Sequence, residues 1–248
     1  MRKIFVAFDD TDNLEGPYGT GKVARWFLDG LPEGLKAWGV VRQQLLVHPD
    51  VPFTSHNSAA CIVLADEGGY EEPGLVERAA EHLRLHALPG SDPGLCIAAG
   101  DSPAMERLAR FGLEAASRVL TQGEAMEAAG GAHLSGHGGT NGGIIGAAAA
   151  VGLTASGWHG RFVEYGNLRK LPETCTVEEL NDAGIRVLSI DRDSRIPCPG
   201  HLVRSGGWLR PHLAGHAPTL LVRPLGDGTW EPLAGKRRLG ENSSVGTI

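Results

Sequence analysis

Apolar residues along the chain fall into short runs with two different spacings. Continuous runs such as residues 4–8 and 59–64 are typical of strands that are buried on both faces. Strands are predicted at residues 4–8, 37–47, 59–64, 94–98, 158–165, 185–190 and 219–222. Helices are predicted at residues 24–28, 74–86, 103–120, 144–153 and 177–182. The order strand, helix, strand, helix over residues 58–120 indicates half of an α+β sandwich.

Three carboxylates follow the first predicted strand almost at once. Asp9, Asp10 and Asp12 stand within four residues, and the hydroxyl of Thr11 lies between them. Ionised carboxylates at this spacing repel one another unless they share a cation, and oxygen ligands favour Mg²⁺ bound together with substrate phosphates. The alternative is a solvated acidic turn, because Asp and Thr are common in turns. An EF-hand is excluded, since Glu15 stands where that loop requires glycine.

A glycine-rich segment, residues 136–143, leads directly into the small-residue helix predicted at 144–153. Backbone N–H groups at such a helix start, without obstructing side chains, suit a phosphate group. The candidate phosphate-binding residues are Gly138, Gly139, Thr140, Asn141, Gly142 and Gly143. The alternative is a flexible loop before a closely packed helix. The dinucleotide fingerprint does not fit, because Asn141 replaces its third glycine.

Two further motifs are incomplete. Residues 16–23 nearly match a Walker A loop, but Val23 replaces the hydroxyl residue that binds Mg²⁺. A zinc site can be drawn from four side chains near the C-terminus, although loop histidines explain the same pattern. Its ligands would be Cys198, His201, His212 and His216.

Composition narrows the class of protein. The 248 residues are 42% hydrophobic and 21% charged, which is ordinary for a globular protein. Because neither an 18-residue apolar run nor a signal-peptide core is present, we expect a cytoplasmic protein. The four cysteines form no CxxC pair, and the net charge of −6 argues weakly against a broad nucleic-acid footprint.

Three stretches, in order, resemble the archaeal tRNA(isoleucine) agmatinylcytidine synthetase (TiaS) family. Residues 8–12 (FDDTD) are similar to the family's GIDDTD motif, and residues 51–57 to its IP(Y/W)KTRGN motif. Residues 143–152 are similar to its glycine- and alanine-rich motif. Weaker similarities lie at Asp92-Pro93-Gly94, 162–165 and 196–199, so that the resemblance covers residues 3–205.

The resemblance implies a kinase-like domain that binds ATP and Mg²⁺, accompanied by a ferredoxin-like domain. Asp9, Asp10 and Asp12 would hold the metal, and Asp10 and Asp12 would also act in catalysis. Thr11 and the glycine-rich segment would contact the nucleotide. No stretch matches the family's OB-fold and zinc ribbon, and Thr54 and His56 replace a lysine and an arginine of the middle motif.

We therefore predict an α+β, two-lobed protein. Its kinase-like ATP-binding domain would comprise residues 1–55 and 130–192, and its ferredoxin-like α/β sandwich residues 56–129 and 193–248. The predicted function is ATP- and Mg²⁺-dependent phosphoryl transfer to an unknown acceptor. The alternatives are a tRNA-modifying enzyme like the resembling family and a nucleotide-binding module without turnover.

The loop at residues 48–57, the middle loop, bears on the identity of the acceptor. It presents five hydrogen-bonding side chains with little permanent charge: His48, Thr54, Ser55, His56 and Asn57. Such groups favour a small polar acceptor over tRNA, with His56 as a catalytic candidate. The alternative is that they only satisfy the backbone of the loop.

Overall fold

The computed structural model describes residues 1–51, 54 and 56–233. The predictions for Pro52, Phe53, Ser55 and the tail from Gly240 lie outside this range. The chain forms two compact units. Unit one comprises Met1–Gly166 and His212–Pro218, and unit two comprises Asn167–Pro211 and Thr219–Ile248.

The helices and strands are named in chain order. The first are β1 (Arg2–Asp9), α1 (Thr20–Trp26), β2 (Leu35–Gln44), β3 (Ser58–Asp66), α2 (Glu72–His86), β4 (Gly94–Ala99), α3 (Met105–Ala115), α4 (Gln122–Ala128), β5 (His133–Gly136), α5 (Gly143–Ser156) and β6 (Arg161–Glu164). After a short 3-10 helix (Leu168–Lys170) come β7 (Thr174–Thr176), α6 (Val177–Asp182), β8 (Arg186–Ser189), β9 (Leu202–Arg204), β10 (His212–Ala214), β11 (Ala217–Gly226) and β12 (Thr229–Pro232).

Unit one is built on an antiparallel sheet with β1 inside it. Its strand order is β5-β4-β1-β3-β2-β6-β10. Each pair of neighbours is antiparallel, and β1 lies in register with β3 on one side and β4 on the other. The acidic residues that follow β1 therefore leave the sheet next to the start of β4.

Both faces of this sheet are covered by helices. Ile4, Val6 and Phe8 point to the face covered by α1 and α2, while Phe5 and Ala7 point to the face covered by α3, α4 and α5. Because side chains alternate along a strand, a strand covered on both faces must be apolar at every position. This explains the unbroken apolar run at residues 4–8.

Helix α5 packs closely on α3 because glycines remove the side chains between them. A Cβ at Gly152 would overlap the carbonyl oxygen of Leu108, and one at Gly112 would lie 2.8 Å from the carbonyl oxygen of Ala149. Both obstructing atoms belong to the backbone and cannot rotate away. The small residues of α5 therefore set its distance from α3, independently of any ligand.

We expect Gly152→Ala to lower the free energy of unfolding by about 1–3 kcal/mol or more, as is typical of overpacking in a core. The matched control is Gly74→Ala in α2, where an added Cβ meets no atom within 4 Å. That change should be neutral or stabilising, because alanine favours a helix. Urea denaturation of both variants measures the difference, and equal stabilities would contradict the packing argument.

Unit two has a smaller mixed sheet. Strands β8 and β11 pair in parallel, β11 and β12 antiparallel, β12 and β9 in parallel, and β9 and β7 antiparallel. Helix α6 begins with a capping box between Thr176 and Glu179. The buried side chains of this unit include Cys175, Leu180, Val203, Val222 and Trp230.

The α+β class predicted from the sequence is confirmed, but several details differ. Helix α4 and strand β5 were not predicted, and α3 ends at Ala115 rather than at residue 120. The predicted domain boundaries also differ from the two units, because β3 and β4 flank β1 in one sheet. The kinase-like and ferredoxin-like names of those ranges stay a prediction. Within the described ranges, no helix is both long and apolar enough to cross a membrane.

Candidate functional site

The pairing of β1 with β4 creates the centre of the site. Asp9 lies opposite Gly94 in the register of these strands, so Asp10 leaves β1 beside Asp92. Asp10 adopts a left-handed backbone conformation with φ of 50°, which is uncommon for a residue other than glycine. The backbone therefore turns sharply at the point where the carboxylates are concentrated.

The three aspartates lie in surroundings that disfavour their charge. Burial, and then the charges of Asp10 and Asp12, raises the pKa of Asp9 to about 7, although a backbone hydrogen bond opposes the shift. Burial, followed by the charge of Asp92, raises the pKa of Asp10. Burial also raises the pKa of Asp12. A bound cation would offset these costs, because it favours the ionised carboxylates.

Asp92 holds the glycine-rich segment in place. Its carboxylate accepts hydrogen bonds from the N–H groups of Thr140 (2.9 Å), Asn141 (3.2 Å) and Gly142 (3.3 Å), and from the Thr140 hydroxyl. Its carbonyl oxygen accepts another from the N–H of Gly143 (3.1 Å). Burial would raise the pKa of Asp92, but these hydrogen bonds outweigh it and lower that pKa.

This arrangement changes the interpretation of the glycines. The N–H groups predicted to hold a phosphate already donate to Asp92, so a side chain of the protein occupies the anion position of the loop. A Cβ at Gly139 would overlap the Asp92 carboxylate, and one at Gly143 would overlap the Asp92 carbonyl. The glycines therefore let the loop approach residues 91–94 closely.

The aspartates and the glycine-rich segment line one cleft of about 660 Å³ in unit one. Its polar lining residues are mostly acidic and include Asp9, Asp10, Asp12, Glu15, Asp92 and Thr140. Its apolar lining residues include Leu45, Leu46, Val51, Ala115, Val119, Leu120 and Ile145. The cleft therefore offers carboxylates to a cation and apolar side chains to an uncharged part of a ligand.

The cleft contains some, not all, of the predicted site residues. Those on its lining are Asp9, Asp10, Asp12, His56, Thr140, Gly142 and Gly143. Gly138, Gly139 and Asn141 belong to the same loop but do not line the cleft. Thr11 is buried, and its hydroxyl donates to Thr20 Oγ1 at 3.1 Å, so it joins the acidic loop to α1.

The middle loop divides into structural and cleft-lining residues. The Nδ1 atom of His48 accepts from the N–H of Asp50 (3.2 Å), and the Asn57 amide donates to the carbonyl oxygen of Leu46 (2.6 Å). These two side chains satisfy the loop backbone. Thr54 and His56 line the cleft together with Asp10, and Asn57 also reaches its lining.

The sequence analysis missed several cleft residues. Asp92 was noted only in a weak motif, and nothing in its local sequence indicates a contact 48 residues away. Arg118 follows α3 and brings a cation to the cleft lining. Its guanidinium pairs with the carboxylates of Glu114 and, at 2.8 Å, Glu124, which are not among the lining residues. The apolar lining residues were also missed, because they come from separate segments of the chain.

Metal-binding groups are limited. Among the residues that the structure describes, no three His, Cys, Asp or Glu side chains are arranged to hold one metal ion. The zinc set of Cys198, His201, His212 and His216 is therefore not assembled. The three aspartates likewise form no ready three-ligand group, and their predicted metal-binding role stays a prediction. Their oxygen chemistry still suits Mg²⁺ held by one or two carboxylates, with phosphate oxygens and waters completing the shell.

The Walker-like segment has a different role. Helix α1 begins at Thr20 after Gly19 and is only seven residues long. The Lys22 ammonium lies 5.0 Å from the centre of the Trp26 ring and 5.7 Å from that of Tyr18. It therefore packs on aromatic rings rather than reaching into a phosphate loop.

Part of this chain is similar in structure to proteins that have been solved. No family model and no curated protein matches the chain. Among solved structures, the complex of TiaS with an isoleucine tRNA and ATP matches with a TM-score of 0.52 and 26% identity, over 61% of this chain and 36% of that one. Part of this chain is similar to TiaS. The resemblance predicted from the sequence is confirmed.

Two other structures support the same conclusion. Apo TiaS, the agmatidine synthetase of an isoleucine tRNA, matches with a TM-score of 0.50 and 25% identity over 60% of this chain and 35% of its own. A tRNA fluorescent labeling enzyme matches with a TM-score of 0.50 and 26% identity over 60% of this chain and 36% of its own. The chain thus corresponds to about a third of the length of these proteins.

Proposed function

We propose that this TiaS-like chain is an ATP-dependent phosphoryl-transfer enzyme that works with Mg²⁺. The observation that carries the proposal is the single cleft lined by both the acidic residues after β1 and the glycine-rich segment before α5. The same two motifs carry the resemblance to TiaS, one structure of which contains ATP. Catalysis of this kind consists mainly of positioning and charge stabilisation, which a fixed cleft supplies.

Both the acidic and the apolar lining residues have a part in this proposal. Asp10 and Asp12 would hold Mg²⁺, with Asp9 supporting them from its position against Gly146 of α5. The metal would supply positive charge next to the phosphates. Apolar lining residues such as Leu46 and Ile145 suit the adenine ring, because ligand sites combine apolar contact with a few polar groups.

The glycine-rich segment would contribute mainly by letting neighbouring groups approach its backbone closely. Its N–H groups are committed to Asp92, so the proposal assigns the phosphate charge to the metal and to Arg118 on the cleft lining. Asp92 then acts through the loop, by fixing the backbone around Thr140. One of the aspartates would orient the attacking group of the acceptor.

Product analysis tests the proposal. We expect ATP with Mg²⁺ and a suitable acceptor to release ADP, because transfer of the γ-phosphoryl group leaves ADP. Release of AMP and pyrophosphate would instead show transfer of the adenylyl group, and chromatography of the nucleotides distinguishes the two. A module that only binds nucleotide would show thermal stabilisation by ATP without either product. That result, obtained with a range of amine, hydroxyl and RNA acceptors, would contradict phosphoryl transfer.

The tRNA-modifying alternative is favoured by the structure of TiaS with its isoleucine tRNA. It makes a separate prediction. Affinity for tRNA would fall steeply with rising salt, because contacts with backbone phosphates release counterions. Affinity for a small polar acceptor would change much less over the same range of salt, so a salt titration separates the two acceptor classes.

His56 provides a test of where the acceptor binds in the cleft. We expect His56→Ala to lower acceptor turnover, with a smaller effect on ATP affinity, because His56 and Asp12 both line the cleft and the small cavity next to it. The control is His48→Ala, since His48 bonds to its own loop backbone. Steady-state kinetics with ATP and acceptor varied separately measure both effects. An unchanged kcat for the acceptor in His56→Ala would remove His56 from the site.

A further inference from the structure

A row of basic side chains crosses three neighbouring strands of unit one. Arg42 on β2 lies directly opposite Arg161 on β6, and Arg161 lies directly opposite His212 on β10. Side chains directly opposite each other in antiparallel strands lie on the same face and close together. Arg42 follows Val40 by two residues, so this face is the one that α1 and α2 cover.

The row is half-buried and has no acidic partner in the part of the chain that the structure describes. Neither arginine makes an ion pair there, and the Arg42 guanidinium donates only to the side-chain oxygen of Gln44, at 3.3 Å. Burial, and then the charge of Arg161, lowers the pKa of Arg42; burial lowers that of Arg161, and burial with the charge of Arg161 lowers that of His212. Half-buried cations of one sign cost free energy unless an anion neutralises them.

A small cavity links the Arg42 end of this row to the candidate site. Arg42 lines a cavity of about 190 Å³ together with Thr20, Ser58 and His56, while Arg161 and His212 follow Arg42 in the row and are not on the cavity lining. Thr20, His56 and Ser58 also line the main cleft. Asp12 lines both spaces, yet it makes no ion pair with Arg42 among the described residues. A group bound by Arg42 would therefore lie beside the acceptor end of the cleft.

We infer that Arg42, Arg161 and His212 form a binding site for a phosphate group of the acceptor. Guanidinium groups bind phosphate oxygens through two parallel hydrogen bonds, and nearby hydroxyls can donate to the remaining oxygens. The inference rests on the proposed function and narrows it, because the acceptor then carries a phosphate. The phosphate can be a monoester of a small molecule or a diester of an RNA backbone.

The test uses inorganic phosphate, which requires neither ATP nor a known acceptor. We expect calorimetric titration at constant ionic strength to detect phosphate binding to the intact chain. Arg161→Gln should weaken that binding at least about tenfold, which corresponds to about 1.4 kcal/mol. Without phosphate, the variant should be as stable as the parent chain or more stable, because the substitution removes an uncompensated charge.

The matched control is Arg110→Gln, which removes an exposed arginine of α3 in the same unit. It should leave phosphate affinity unchanged, and ATP affinity should be the same in all three proteins. The inference is overturned if the parent chain binds no phosphate, if Arg161→Gln binds it normally, or if Arg110→Gln loses it equally. A parent chain that binds inorganic phosphate but not ATP would instead contradict the proposed function.

Competition then distinguishes the two sources of phosphate. Glycerol 3-phosphate should displace inorganic phosphate if the site accepts a monoester. A short RNA stem-loop should displace it, with strong dependence on salt, if the site accepts a backbone diester. Either result supports the site, and failure of both ligands to compete would contradict its assignment to the acceptor.

Discussion

Replacing Asp10 with asparagine is expected to lower ATP turnover at least about a hundredfold, the loss that removal of one charge-stabilising group causes in other enzymes. Asp10 follows β1 at a turn and lines the cleft beside Asp92. Burial and the charge of Asp92 disfavour its ionised form. Asparagine keeps the shape of the side chain but supplies no negative charge to a metal. Initial rates of nucleotide release at saturating Mg²⁺ measure the effect.

The control for this variant is Asp182→Asn, which alters an exposed carboxylate at the end of α6 in unit two. Its turnover should equal that of the parent chain. Thermal unfolding should show that Asp10→Asn folds, because the amide removes repulsion among the aspartates. A folded Asp10→Asn protein with full activity would remove the carboxylates from the proposed chemistry.

Asp92→Asn is expected to loosen the glycine-rich segment and impair turnover through it. The carboxylate accepts hydrogen bonds from three successive backbone N–H groups, and hydrogen bonds to a charged group contribute about 1.5–3 kcal/mol each when well formed. Asparagine retains one acceptor oxygen and turns an NH₂ group toward the same donors. We expect backbone amides of residues 140–143 to exchange with solvent at least about tenfold faster.

Asp66 offers a matched control for this variant. Its carboxylate accepts from the N–H groups of Gly68, Gly69 and Tyr70 in a turn that does not line the cleft. Asp66→Asn should loosen that turn while ATP turnover and exchange at residues 140–143 stay unchanged. Equal exchange at residues 140–143 in Asp92→Asn and the parent chain would show that Asp92 does not hold the loop.

The parts of the fold that follow from local sequence were predicted well. Helix α6 has the predicted bounds, because Thr176 and Glu179 form a capping box that specifies its start. Strand β1 was evident from an unbroken apolar run. In contrast, β9, β10 and β12 are three or four residues long, and their apolar patterns are too short to identify a strand.

The sequence identified the acidic and glycine-rich residues that line the cleft but not their contacts with one another, and their functional roles stay predictions. The acidic run and the glycine-rich segment were both identified, and seven of the predicted residues line the cleft. The occupant of the glycine loop was not, since Asp92 reaches it only through the pairing of β4 with β1 and β5. Likewise, Arg42, Arg161 and His212 are far apart in sequence, and only the strand register places them in one row.

The central claim is that ATP binds in the acidic cleft with a divalent metal, and a paired calorimetric titration tests it most directly. ATP should bind the parent chain in the presence of Mg²⁺ and at least about tenfold more weakly in its absence, because the carboxylates then repel the phosphates. In Asp10→Asn the dependence on Mg²⁺ should largely disappear. ATP affinity that is equal with and without Mg²⁺ in the parent chain, or no ATP binding at all, would contradict the account.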